Sequence, residues 1–318
     1  MITFIRNSFN LVRGFNLLIT ALCLYFFQYF VIKPYLADCG LYTTLDTFHF
    51  NVLVLAVICI MAGGNVVNDY FDFERDRDAG RNTLVGSWIS LDQAYWLQFA
   101  LFFVGVGLGF YLGYHNGNFK QGYYFLFAGV FLWLYSMLLK QFFLIGNLVI
   151  AALSAFVFVL VVLMEVQLLR QPFNAFEALI FPWIITYMKG YALFAFLVTL
   201  IREIVKDAED REGDAAAGMR TLAVVLPVPA TNAVVIVLEL LCMGLIAALQ
   251  IFYWKHGQKQ QFWYCFFFLQ VQLLLNVSGM AGANRSYLYR NQSFFLKILM
   301  LFGILTIPIF YWFTIGKL

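Results

Sequence analysis

The chain has 318 residues, 63% of them hydrophobic and 12% charged, with a net charge of +3 and a mean hydropathy of +0.82. A soluble domain is about 45–50% apolar and about 25% charged, so the composition excludes an ordinary soluble globular protein. The small net charge implies no nucleic-acid partner. The five cysteines (Cys23, Cys39, Cys59, Cys242, Cys265) have neither CxxC nor metal-ligand spacing and read as buried free thiols.

A bilayer core takes about 20 apolar residues per helix. Nine such segments are predicted, at 11–32, 50–68, 93–114, 122–139, 143–164, 176–201, 222–250, 262–282 and 294–315. The first lacks a small-residue cleavage site, so it reads as a span and not as a removable leader. The seventh is long, and Pro227 and Pro229 predict a turn near its start. No polar stretch interrupts the series, which predicts one membrane domain over 1–318.

With the N-terminus cytoplasmic, Arg6, Arg13, Arg75, Arg77, Arg81, Lys140, Arg202, Lys206, Arg211, Arg220, Arg285, Arg290 and Lys297 fall on the cytoplasmic side. Lys33, Lys120, Arg170, Lys255, Lys259 and Lys317 fall on the other, and Lys189 lies within a span. Basic residues favour the cytoplasmic side, so this bias predicts an inner-membrane, multi-pass protein with its N-terminus inside.

Seventeen residues are acidic, and eleven of them occupy two windows, Asp69–Asp78 and Glu203–Asp214, both on the predicted cytoplasmic side. In the first window Asn68, Asp72 and Asp76 recur every four residues, one stripe of a helix, with Asp69 on its edge. In the second, Glu203, Asp207, Asp210 and Asp214 are spaced 4, 3 and 4, again one helical face, while Glu209 and Glu212 point elsewhere and read as solvated. Like charges at i, i+4 repel, and acids near a bilayer are costly to desolvate. Two such stripes call for a compensating cation. Mg²⁺ fits, because it takes oxygen ligands and binds through one or two carboxylates plus substrate phosphates. The pattern therefore predicts a Mg²⁺-diphosphate site.

These residues resemble the UbiA superfamily of membrane prenyltransferases. Its first motif, NDxxDxxxD, is met by Asn68, Asp69, Asp72 and Asp76. Its second, DxxxD followed by Gly and a Thr-Leu pair, looks like Asp210 and Asp214 with Gly218, Thr221 and Leu222, and Asp207 one turn earlier. Arg13 and Asn16 look like the first-helix signature, Tyr135, Ser136 and Lys140 like the fourth-helix YSxxLK segment before Gly146 and Asn147, and Ser293–Met300 like the last-helix pattern. The sequence departs where many members carry Asn-Arg-Pro after the first motif. DRDAGRNTLVG has no Pro, and Arg81 stands nearest the phosphate-binding Arg.

The resemblance implies an all-α bundle of nine transmembrane helices around a central cavity. It implies a polyprenyl diphosphate donor with its tail among membrane lipid, ionising to an allylic cation that a lipid or aromatic acceptor attacks. Asn68, Asp69, Asp72, Asp76, Asp207, Asp210 and Asp214 are the expected metal ligands, with Asp72, Asp76, Asp210 and Asp214 central to catalysis. Asn68, Arg13, Asn16, Arg81, Tyr135, Lys140 and Lys206 are the expected diphosphate contacts. Lys140 serves equally as a positive-inside anchor, and Tyr135 as a packed tyrosine bonded elsewhere. The motif wording looks closest to the branch that adds geranylgeranyl to geranylgeranylglyceryl phosphate, with 4-hydroxybenzoate or another quinone precursor as the alternative acceptor. A divalent-cation transporter is the competing class. It predicts acids spread through membrane depth, whereas these gather at one side. Glu165 reads as interfacial, and the three histidines as far-side loop residues.

Overall fold

Fourteen helices follow one another in the computed structural model, which describes residues 2–78, 80, 83–169 and 175–315. In order they are α1 (Ile2–Leu11), α2 (Gly14–Phe27), α3 (Lys33–Asp38), α4 (Thr47–Asp78), α5 (Leu91–His115), α6 (Gly122–Met137), α7 (Ile145–Met164), α8 (Ala175–Glu209), α9 (Arg211–Ala216), α10 (Leu222–Val225), α11 (Val228–Lys255), α12 (Lys259–Tyr264), α13 (Val271–Ala281) and α14 (Ser286–Ile315). π-helical turns join α2 to α3 and α12 to α13, so each pair forms one continuous span. Among the described residues there is no strand, only an isolated bridge between Val85 and Ile89.

Among the described residues, eight helical segments are long and apolar enough to cross a membrane. The chain is thus an integral, multi-pass membrane protein. The expected span 122–139 is the exception: it is α6, a helix of 16 residues. At 1.5 Å per residue α6 alone reaches about 24 Å, and the helical turns at its ends carry the segment on from Phe119 to Gln141. Short 3₁₀ turns flank it, carrying Lys120 and Lys140 at its two ends. The expected turn ahead of the seventh span is present. α10 ends, Pro227 takes an extended conformation, and α11 starts at Val228.

Packing divides the chain into two compact units, Met1–Lys140 with Phe156–Lys189, and Gln141–Ala155 with Gly190–Leu318. In the first unit, small residues set how closely helices approach. A Cβ on Gly105 of α5 would lie 2.9 Å from the Ala56 carbonyl oxygen of α4, and one on Gly64 would lie 2.9 Å from Leu132 of α6. Close backbone approach of this kind is how membrane helices associate where lipid supplies no hydrophobic drive. At the Thr47 end of α4, Glu165 is 1% exposed. It accepts hydrogen bonds from Gln28 Nε2 at 2.8 Å and the Thr44 backbone N–H at 2.6 Å. Glu165 directly follows the spanning helix α7, and there it is a buried tie between the first span, the loop after it and the end of α7.

In the second unit, the buried faces of α8, α11, α13 and α14 share an apolar core that includes Val198, Ile201, Val235, Leu273 and Leu296. Polar ties hold it in register: Asn232 Nδ2 donates to the Ala283 carbonyl at 2.7 Å, and the Tyr289 hydroxyl donates to Asn232 Oδ1 at 2.9 Å.

Candidate active site

The first acidic cluster lies on the last turns of α4, which runs unbroken through Asp78. The apolar stretch alone ends near residue 68, and the helix continues because NDYFDFERDRD contains no Gly or Pro to stop it. Asn68 and Asp72 therefore do share a face, and Asn68 Nδ2 donates to Asp72 Oδ2 at 2.9 Å. Asp72 is buried and meets two cations. The Lys140 ammonium contacts Oδ1, and Arg75 Nη2 lies 3.2 Å from Oδ2. Arg75 also reaches Asp76, with Nε 3.5 Å from Oδ1. Burial pushes the Lys140 ammonium below its usual range, and the Asp72 carboxylate offsets this only in part.

Arg13 closes the other edge of the cluster, donating from Nη2 to Asp69 Oδ1 at 3.1 Å. It sits between α1 and α2 at φ 52°, ψ 53°. A residue with a Cβ strains by about 1–2 kcal/mol in this left-handed region, so tertiary contacts, the Asp69 pair among them, must hold the turn. Asn16 lies in the first turn of α2, its N–H bonded to the Arg13 carbonyl at 2.8 Å. Tyr135 is half-buried near the end of α6, one turn before Lys140. Arg81 lies outside the described residues.

The second cluster is on the C-terminal turns of α8 and on α9. It is not one uninterrupted helix: α8 ends at Glu209, and Asp210 adopts φ −93°, ψ 4°. The bend is slight, because the Asp210 N–H still bonds the Lys206 carbonyl at 2.9 Å and the Asp214 N–H bonds the Asp210 carbonyl at 3.0 Å. Asp207 accepts from Asn147 Nδ2 at 2.8 Å. Lys206 does not hold the neighbouring Asp207; it joins Arg202 on Glu203, at 3.2 and 2.8 Å. Asp214 is buried. Gly218, at φ 71°, lets the chain turn so that the Met219 N–H returns to the Asp214 carbonyl at 2.9 Å. Thr221 then starts α10, and Leu222 packs into the core. That is the physical need behind the Gly and Thr-Leu of the second motif. Glu212 is exposed as expected. Glu209 is not simply solvated, because it accepts from Arg290 Nε at 2.9 Å.

Sequence reasoning placed Glu203 on the second stripe and Asn147 after the fourth-helix segment without giving either a role, and gave Arg75 no role beyond its basic charge. Arg75 carried a signal, lying three residues after Asp72 and beside Asp76. Asn147 carried little, since it meets Asp207 across 60 positions.

Helical spans and two carboxylate clusters, each interleaved with amides and cations, define a polytopic membrane protein. The chain belongs to the UbiA prenyltransferase family, whose model matches residues 34–299. It is 31% identical over 182 residues to the digeranylgeranylglyceryl phosphate synthase of Methanosphaera stadtmanae, covering 56% of this chain and 59% of that protein. It is 31% identical over 226 residues to the synthase of the same name from Saccharolobus solfataricus, covering 70% and 69%. The match thus spans little more than half the length of the Methanosphaera relative. The fold resembles the structure of a UbiA homolog from Archaeoglobus fulgidus bound to GPP and Mg²⁺, with TM-score 0.59 and 15% identity, over 95% of this chain and 99% of that one.

Proposed function

We propose that this protein is a Mg²⁺-dependent prenyltransferase that moves a geranylgeranyl group from its diphosphate to geranylgeranylglyceryl phosphate within the membrane. The observation that carries the reading is the pairing around Asp72, where a carboxylate, an amide and two cations occupy one patch. Carboxylates suit the metal and cations suit phosphate oxygens. In the absence of ligand these groups satisfy one another.

The donor set fits Mg²⁺. Asn68, Asp69, Asp72 and Asp76 on α4, with Asp207, Asp210 and Asp214, offer only oxygen ligands. Among the described residues no three His, Cys, Asp or Glu side chains gather closely enough to hold a metal alone. Mg²⁺ does not need such a cage, because it is usually bound by one or two carboxylates together with substrate phosphates. Bound there, it would stabilise the charge that develops on the departing diphosphate. Lys140, Arg75 and Arg13 would shift from carboxylates to phosphate oxygens, with Asn16, Tyr135, Arg81 and Lys206 as further contacts. Asn147 keeps Asp207 oriented. The prenyl carbon, losing its C–O bond, becomes an allylic cation, and an acceptor hydroxyl oxygen attacks it and releases a proton. The family match over residues 34–299 takes in both clusters, which supports reading the chain as one catalytic domain. The basic-residue bias supports an active site and N-terminus on the cytoplasmic side of the inner membrane.

The acceptor rests on the names of the relatives. Purified protein in lipid, supplied with labelled geranylgeranyl diphosphate and a panel of acceptors, should prenylate geranylgeranylglyceryl phosphate. Asp72→Asn and Asp210→Asn should each slow turnover by about 100-fold or more, the scale of a lost electrostatic contact to a transition state. Prenylation of 4-hydroxybenzoate alone would overturn the acceptor. No prenylated product, with donor binding unchanged in both variants, would overturn the reaction.

A further inference from the structure

Helix α1 lies ahead of the first membrane span and carries apolar residues on one arc and polar ones on the other. At 100° per residue, Ile5, Phe9 and Val12 fall within about 60° of one another, Phe4 and Leu11 extend the same arc past Ser8, and Thr3, Arg6, Asn7 and Asn10 fill the opposite arc. In a soluble protein the apolar arc would be buried. Here only its far end enters a core, Leu11 with Val66, Val85 and Ala94, and Val12 packs against them. Phe4, Ile5 and Phe9 are 64%, 59% and 51% exposed.

Two observations fix the level of this exposed face. It is followed in the chain by Phe15 and Leu18, exposed apolar residues on the first turns of the spanning helix α2. The Phe4 ring also packs edge-on against Trp88, at 5.5 Å between centroids. Trp88 lies just before α5, whose first turns expose Tyr95 and Trp96. Aromatic residues of this kind collect at the boundary between lipid and water. α1 contains no acidic residue, and Arg6 is exposed on its polar arc.

We infer that α1 is an interfacial membrane-binding helix, lying at the headgroup layer with Phe4, Ile5 and Phe9 among the acyl chains and Arg6 at lipid phosphates. An amphipathic helix with aromatic residues on one arc and a basic residue on the other binds a bilayer surface in this way. The anchoring has a consequence for the site. α1 leads directly into the left-handed turn at Arg13, and the Phe9 ring lies so close over Gly14 that no Cβ would fit there. The lipid surface therefore acts as a strut that holds the turn from which Arg13 reaches Asp69.

The test is spin labelling of the full chain in vesicles of phosphatidylcholine and phosphatidylglycerol, with labels at Ile5→Cys and, separately, Asn10→Cys. Oxygen, which concentrates in lipid, should relax the label at position 5 several-fold more than a water-soluble nickel chelate does, and the order should reverse at position 10. Thr3→Cys and Phe4→Cys form a second pair for the case where the first disturbs folding, and the unsubstituted protein gives the background from its native cysteines. If labels on both arcs are reached equally by the nickel chelate, or both equally by oxygen, the inference fails.

Discussion

At the scale of single residues, Lys140 and Asp72 form a buried pair on which much of the first cluster depends. Removing one partner of a buried ion pair leaves the other charge uncompensated, at a cost of about 3–5 kcal/mol. Arg75 still reaches Asp72, so Lys140→Met should fall at or below the low end of that range. Thermal unfolding in detergent would measure it, and adding Asp72→Asn should restore part of the loss. Glu239 is the opposite case. It is fully buried within α11, and among the described residues neither carboxyl oxygen has a partner. An unpaired carboxyl in a membrane helix is a net cost, so Glu239→Gln should leave stability unchanged or raise it by about 1 kcal/mol. Glu165 makes stability depend on pH. Burial raises its pKa above the usual carboxylate value, and the bonds from Gln28 and Thr44 reverse this only in part. Between the unfolded value, about 4.3, and the raised folded value, the native state binds more protons than the unfolded one. Stability in that window therefore falls as pH rises. Melting temperatures of wild type and Glu165→Gln between pH 5 and pH 8 should show a decline in the first that is smaller in the second.

At the scale of elements, α4, α5 and α6 owe their spacing to glycine. Gly105 meets backbone of α4, which cannot move aside as a flexible side chain can. Gly105→Ala should separate the helices and cost about 1–3 kcal/mol, the usual range for overpacking, read as a lower melting temperature. Gly107, on the same helix with nothing near its Cβ position, should accept Ala without loss. The apolar span was expected to end near residue 68, and the helix carries its carboxylates on a further extension to Asp78, as their four-residue spacing predicted. The hydropathy pattern marks where apolar residues stop and not where hydrogen bonding stops. The second cluster shows the reverse: a spacing that reads as one helix is bent at Asp210, and α9 then closes on Gly218.

At the scale of the whole molecule, each compact unit contains one carboxylate cluster. If both serve one ligand, Mg²⁺ with a geranylgeranyl diphosphate analogue at about 100 times its dissociation constant should stabilise the wild type by about 2.7 kcal/mol. Asp76→Asn and Asp214→Asn should each lose most of that gain, although they alter different units. Stabilisation abolished by only one of the two changes would separate the clusters. Orientation has its own check. An impermeant maleimide applied to intact cells should label Tyr42→Cys, in the loop before α4, and spare Ser87→Cys, in the loop after it.

The sequence by itself determined the class of the molecule and picked out the candidate ligand set. Its hydropathy fixes the membrane as solvent, and the four-residue recurrence of Asn68, Asp72 and Asp76 places them on one face of any helix that contains them. These are local properties, legible because helix geometry relates neighbours in the chain. The tertiary structure alone decided which cation meets which acid. Lys140 reaches Asp72 across 68 positions, and Arg13 reaches Asp69 across 56. It also decided that Glu165 is buried and that Lys206 turns to Glu203. Such pairings depend on how separate helices pack, and side-chain volume and glycine placement set that packing over distances no periodicity records.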